Sequence, residues 1–132
     1  MSRVVLDASA AIRLVLRDPE SAPLVDALQT ATLVLVPAIF FTEVANGLWK
    51  YTLGDTLTTE QCVERLSEVD ALVDEVFDDR ELIVEAVHLA IAHDHPVYDL
   101  LYAVLARRTG AAVLTRDGRL GKLLDTLGVA HR

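Results

Sequence analysis

The sequence predicts an α/β fold: a three-layer α/β/α sandwich around a mostly parallel central sheet, in a single domain spanning residues 1–132. Three observations predict it. Short continuous apolar runs recur along the chain, as in strands buried on both faces of a parallel sheet. Helical patterns fill the intervals, and strands alternating with helices specify this layered class. The 132 residues, 52% of them apolar, suit one core and exclude an intrinsically disordered chain.

The elements follow in order. Val4-Val5-Leu6 reads as the first strand, closed by Asp7. Helices follow over residues 8–16 and 22–30 around the Asp18-Pro19 break, with Pro23 near the start of the second. Leu33-Val34-Leu35-Val36 is the second strand. Pro37 then opens a long helix over residues 38–53, stopped by Gly54. Thr58 and Gln61 have capping-box spacing, and Val63, Leu66, Val69 and Leu72 follow at helical intervals. Residues 73–77 are a weaker strand candidate, interrupted by Asp74 and Glu75. Asp78 with Glu81 repeats the cap spacing before Leu82, Ala86, Leu89 and Ala90. A helix over residues 97–108 leads into the strand Ala111-Ala112-Val113-Leu114, and a last helix covers residues 118–127. Val129-Ala130 after Gly128 suggests a short terminal strand.

Composition bounds the function classes. Twelve Lys and Arg against twenty Asp and Glu leave a formal charge of −8, which argues against gripping nucleic acid by bulk attraction. The charge is uneven, however. Residues 1–99 carry 6 basic and 18 acidic side chains, whereas residues 100–132 carry 6 basic and 2 acidic. Eleven acids fall in residues 55–85, where they read as the solvated faces of amphipathic helices. Cys62 is the only cysteine, so no intrachain disulfide forms and a reducing interior is expected. The N-terminus meets Asp7 after three apolar residues and does not read as a signal peptide. No apolar run approaches the roughly 20 residues of a membrane span. The expectation is a soluble, cytoplasmic protein with no membrane partner.

Four acids outside the 55–85 stretch fall where such a sheet collects ligands, outside the carboxyl ends of its strands. Asp7 ends the first strand and Asp117 follows the strand ending at Leu114. Glu43 sits in the first two turns of the helix entered from the second strand, flanked by Ile39, Phe40, Phe41 and Val44. Asp99 lies in the first turn of the helix leading into the Leu114 strand. Each has a local alternative: Asp7 as a helix cap, Asp99 and Asp117 as complements to a helix dipole. An acid on an apolar face, as at Glu43, is costly to bury without a partner. Four acids at one edge repel one another, and hard Mg²⁺ or Mn²⁺ resolves that repulsion with oxygen ligands. Ser9, Asn46 and Thr115 stand two, three and two residues from Asp7, Glu43 and Asp117. They are candidates to orient carboxylates or a metal-bound water, Ser9 and Thr115 alternatively to satisfy backbone groups.

Asp7-Ala8-Ser9, Thr42-Glu43-Val44-Ala45-Asn46, Val97-Tyr98-Asp99-Leu100-Leu101-Tyr102 and Leu114-Thr115-Arg116-Asp117-Gly118-Arg119-Leu120, in this order and spacing, resemble the PIN domain. In particular they resemble the VapC-type toxins of type II toxin–antitoxin pairs, over essentially the whole chain. The resemblance implies a Mg²⁺- or Mn²⁺-dependent endoribonuclease in which Asp7, Glu43, Asp99 and Asp117 are the acidic quartet. It implies Asp7 and Asp99 as metal ligands foremost, with Ser9 and Thr115 at the adjoining polar positions. It also implies a homodimer and a cognate VapB-type antitoxin, an apolar segment of which enters a groove on the toxin. Other readings are a housekeeping PIN nuclease, a catalytically silent PIN-like binding module, and a phosphotransfer domain of haloacid dehalogenase or receiver type. That last class wants a second acid where Ser9 stands, or adjacent acids and a downstream Lys, and neither pattern is present.

Hydrolysis then needs a proton acceptor, for which Asp117 or Glu43 is available; His93 and His95 read as a solvated loop. Arg116, Arg119, Lys122 and Arg13 are the candidate RNA-binding cations, with Arg17 one turn beyond Arg13. Arg107 and Arg108 fit a helix C-terminus instead. Leu48, Trp49, Tyr51 and Leu53 give the end of the long helix surplus apolar surface, a candidate protein interface.

Overall fold

The computed structural model describes residues 2–132. Its elements are β1 (Arg3–Leu6), α1 (Ala8–Val15), α2 (Ala22–Thr30), β2 (Leu33–Pro37), α3 (Ile39–Leu53) and α4 (Thr59–Asp70). They continue with β3 (Glu75–Phe77), α5 (Ile83–His93), α6 (Val97–Thr109), β4 (Ala112–Leu114) and α7 (Gly118–Leu127). The strands form one sheet in the order β3-β2-β1-β4, parallel throughout rather than mostly so. Val5 pairs with Leu35 on one side and Val113 on the other, and all three are buried. Continuous apolar runs were the right signal because both faces of the sheet are covered.

Strand order dictates the layers. The crossovers β1→β2→β3 step one way, and right-handed connections put α1 to α4 on one face. α1, α3 and α4 pack on one another there. The step back from β3 to β4 puts α5 and α6 on the other face. α6 lies on β1, β2 and β4, with α5 packed against it. All seven residues 100–106 of α6 are buried, as expected of a helix sandwiched between a sheet and another helix.

The differences from expectation have local causes. β3 is shorter than residues 73–77 because Asp74 leaves the strand path, its Oδ2 accepting the Val34 amide at 2.7 Å. The Thr58–Gln61 capping box is present, but Asp78 caps a 3-10 turn (Asp79–Glu81) through the Arg80 amide, and α5 starts after Leu82 without a side-chain cap. Several of the acids in residues 55–85 therefore have local structural tasks besides solvating helices. The terminal strand is a single parallel bridge, Val113 to His131, beside β4. Leu48 is wholly buried, so it belongs to the core and not to a protein interface; Trp49 and Leu53 are 51% and 66% exposed.

Candidate active site

Strand order reverses at β1, which has β2 on one side and β4 on the other, and the crevice beyond the carboxyl ends of β1 and β4 is where such sheets bind ligands. Asp7 stands there, only 6% exposed, with its amide donating to Leu114 O at 3.0 Å. It occupies the N-cap position of α1, yet its side chain makes no capping hydrogen bond. Its Oδ2 instead accepts the Ser9 hydroxyl at 2.6 Å and the Thr115 hydroxyl at 2.8 Å. The Arg116 amide donates to Ser9 Oγ at 2.9 Å and the Asp117 amide to Thr115 Oγ1 at 3.0 Å. A hydroxyl has one proton to give, so backbone donors occupying its lone pairs aim that proton at the carboxylate. Asp7 is thus fixed by the first turn of α1 and by the loop that follows β4.

Two more acids face Asp7. The β2–α3 junction brings Glu43 in, and its Oε1 accepts the hydroxyl of buried Tyr102 at 2.5 Å. Asp99, in the first turn of α6, meets His95 Nε2 through Oδ2 at 2.7 Å. His95 is therefore no solvated loop residue; its side chain is 8% exposed, while His93 does lie exposed. The α5–α6 turn, made by Asp94 in the left-handed region at φ 50°, folds His95 back onto the helix that follows. Burial is the main cause holding the Asp7 carboxyl above its ordinary value; the Ser9 and Thr115 bonds pull it down and the charge of Asp99 pushes it up. Burial likewise raises Glu43; the Tyr102 bond opposes, and Asp7, Asp99 and Asp79 add to the rise. The Tyr102 phenol is raised by burial and then by Glu43, so it stays a proton donor.

The other expected residues divide. Asp117 is the N-cap of α7, its Oδ1 accepting the Arg119 amide at 2.9 Å, and it is not among the chief charges acting on Asp7 or Glu43. Asn46 is exposed and makes no side-chain hydrogen bond among the described residues. Arg116 and Lys122 share a hollow with Thr115 and Asp117, and Arg119 lines another with His95 and Pro96. Arg13 pairs with Asp18 at 2.9 Å. Arg107 and Arg108 reach back to Glu85 at 3.4 and 3.1 Å, in keeping with a helix-end role.

Residues 4–123 match the PIN domain. The chain belongs to the PIN domain family. Ribonuclease VapC3 of Pyrobaculum aerophilum is 30% identical over 129 residues, covering 95% of this chain and 97% of that one. Among solved structures, PAE2754 from Pyrobaculum aerophilum superposes with a TM-score of 0.75 at 21% identity, over 98% of this chain and 83% of that one. Mycobacterium tuberculosis VapC20, described as a sarcin-ricin loop cleaving toxin, gives a TM-score of 0.72 at 16% identity over 96% of each chain. These two share the fold.

The donor chemistry of this PIN domain fits a hard divalent cation. The charge of Asp99 raises the proton affinity of Asp7 and Glu43, and the side-chain hydrogen bonds on each of the three carboxylates fall on one oxygen only. The fit is not that of a closed cage. Among the described residues, no group of three or more His, Cys, Asp or Glu is disposed to hold an ion together. An open set suits Mg²⁺, which takes one or two carboxylates and keeps several waters. Tyr102 and Asp79 were not singled out from the sequence, and His95 was read only as part of a solvated loop. Tyr102 stands three residues after Asp99 and His95 four before it, spacings that share a helix face, but the break at Pro96 made His95 read as loop.

Proposed function

We propose that this PIN domain is a metal-dependent endoribonuclease that hydrolyses RNA phosphodiester bonds and acts as the toxin of a toxin–antitoxin pair. One observation carries the reading: at the switch point of a parallel sheet Asp7 feels the charge of Asp99, Glu43 feels both, and among the described residues no cation is paired with Asp7 or Glu43. Asp7 and Asp99 are the residues to hold Mg²⁺ or Mn²⁺, one fixed by Ser9 and Thr115, the other by His95. The chemistry such an ion supplies when bound is a water of lowered pKa and relief of charge on the phosphate. Glu43 is the proton acceptor, because its second oxygen has no side-chain partner among the described residues whereas the Asp117 carboxylate caps α7. Tyr102 orients Glu43. Arg116, Arg119 and Lys122 hold the flanking phosphates.

The relatives named ribonuclease and toxin support the activity and the biological setting. A VapB-type antitoxin and a second copy of the chain are the partners in this reading, which is cytoplasmic. Exposed Trp49 and Leu53, and Ile83, Val84, Val87 and Ile91 on α5, are the apolar surfaces they would cover. The test is RNA cleavage with Mg²⁺ or Mn²⁺. Asp7→Asn or EDTA is expected to reduce the rate at least about a hundredfold; undiminished cleavage in either case would remove the assignment.

A further inference from the structure

A cavity of about 610 Å³ lies between the C-terminal parts of α1 and α3, the α3–α4 loop and α4. Two helical stripes connect it to the acids. On α1, Ser9, which holds Asp7, is followed at i+4 by Arg13 and at i+7 by Leu16, and both of these line the cavity. On α3, Glu43 is followed at i+4 by Gly47 and at i+8 by Tyr51, another lining residue. α1 and α3 pack directly, and they approach closely at Gly47, where a Cβ would overlap Ile12 Cδ1. The two stripes therefore run side by side from the acids to the cavity. Arg13 lies about 9 Å along the axis from Asp7, roughly the rise of two or three stacked nucleotides.

The walls suit a flat, neutral, hydrogen-bonding ring. Tyr51 is a half-buried aromatic whose carbonyl accepts the Thr56 and Leu57 amides at 3.1 and 3.2 Å, which fixes the turn that closes the cavity. Arg13 and Arg65 contribute guanidiniums, held by Asp18 and Glu68 at 2.9 and 2.8 Å. A guanidinium has five N–H donors, so each keeps several to offer after that pairing. Asp18 in the wall repels a phosphate but accepts from the amino and imino groups of a base. Aromatic and guanidinium planes are what stack unpaired bases in single-stranded RNA.

Resting on the nuclease reading, we propose that this cavity is a base-binding subsite. It takes one unpaired nucleobase of the RNA strand, two or three nucleotides from the phosphate at the acids, with Tyr51 as the stacking face. The subsite sets where along a strand cleavage falls. Its partner is an RNA base, not a phosphate.

The test is the affinity of fluorescently labelled single-stranded RNA nonamers of mixed sequence, and of the same backbone without bases, in an Asp7→Asn background that leaves the RNA intact. Adding Tyr51→Ala, or Tyr51→Leu to retain apolar packing, is expected to weaken binding of the base-containing RNA about tenfold. Tyr51→Phe stays within about twofold, and all four proteins bind the abasic strand alike. Equal affinity of Tyr51→Leu and its parent for the base-containing RNA would overturn the subsite, as would an equal loss on the abasic strand or no RNA binding by the parent. Cleavage by the otherwise wild-type chain separates the two claims. Cleavage that Tyr51→Leu leaves unchanged in position refutes the subsite alone, and base-dependent binding without any metal-dependent cleavage refutes the nuclease alone.

Discussion

At the scale of residues, the site is an arrangement in which a stabilised fold carries an unfavourable charge. Asp7 is buried, and its proton affinity in the folded chain exceeds that of the unfolded chain, whose carboxyl has its ordinary value of 3.8. The folded state then binds more protons than the unfolded one between 3.8 and the raised value. Stability falls as pH rises through that window, and the penalty is complete only above it. Asp7→Asn is therefore expected to raise the melting temperature of the metal-free protein by roughly a few degrees at pH 7 and to make no difference well below pH 3.8. Scanning calorimetry at the two pH values checks this. A drop at pH 7 would mean that the Ser9 and Thr115 bonds outweigh the cost of burial. Tyr102→Phe has a different effect: it removes the Tyr102 hydroxyl from Glu43 and leaves the ring in the core. About tenfold slower RNA cleavage with little change in stability is expected.

At the scale of elements, the α1–α3 contact places both Asp7 and Glu43. Gly47 makes that contact close. Gly47→Ala is expected to be nearly neutral, because Ile12 Cδ1 is the end of a half-buried side chain that can turn aside, and alanine gains about 1 kcal/mol of helix propensity. Gly47→Leu has no such outlet and is expected to destabilise the fold by about 2 kcal/mol, as denaturant titration would show. These elements were legible in the sequence to very different degrees. β1, β2 and β4 are continuous apolar runs, and buried parallel strands carry no other pattern. The Thr58 box marked the start of α4 because capping is local. Asp78 carried the same spacing and capped a 3-10 turn, since spacing alone does not say how far the helix continues. The acids Asp7, Glu43 and Asp99 could be placed at one edge because each ends or begins an element there. Their partners could not: Tyr102 meets Glu43 across 59 residues, and His95 reaches Asp99 only through a left-handed turn at Asp94.

At the scale of the whole molecule, the formal charge of −8 was the wrong quantity for judging an RNA substrate. Acids of residues 55–85 tie β2 at Asp74, cap a turn at Asp78 and pair with Arg65 and Arg17 at Glu68. The acids of the site are of the kind a cation offsets, and Arg116, Arg119 and Lys122 stand in hollows beside them. Arg116→Ala is expected to weaken RNA binding severalfold and to lower the slope of log affinity against log salt by about 0.7, one phosphate contact on a single strand. Unchanged affinity would take Arg116 out of the RNA surface. Ile83, Val84, Val87 and Ile91 crowd exposed apolar area on the outer side of α5, Ile91 being 77% exposed. If that face joins two copies, Ile91→Asp shifts the protein from dimer to monomer in light scattering; an unchanged mass would exclude it.

In the proposed nuclease, Asp7 and Asp99, with Glu43 beside them, share one divalent cation. Mn²⁺ binding followed by electron paramagnetic resonance tests this without any RNA. One site per chain is expected in the unmodified protein, lost in Asp7→Asn and in Asp99→Asn and retained in Asp117→Asn. Equal Mn²⁺ binding by the unmodified protein and Asp7→Asn would show that Asp7 holds no cation.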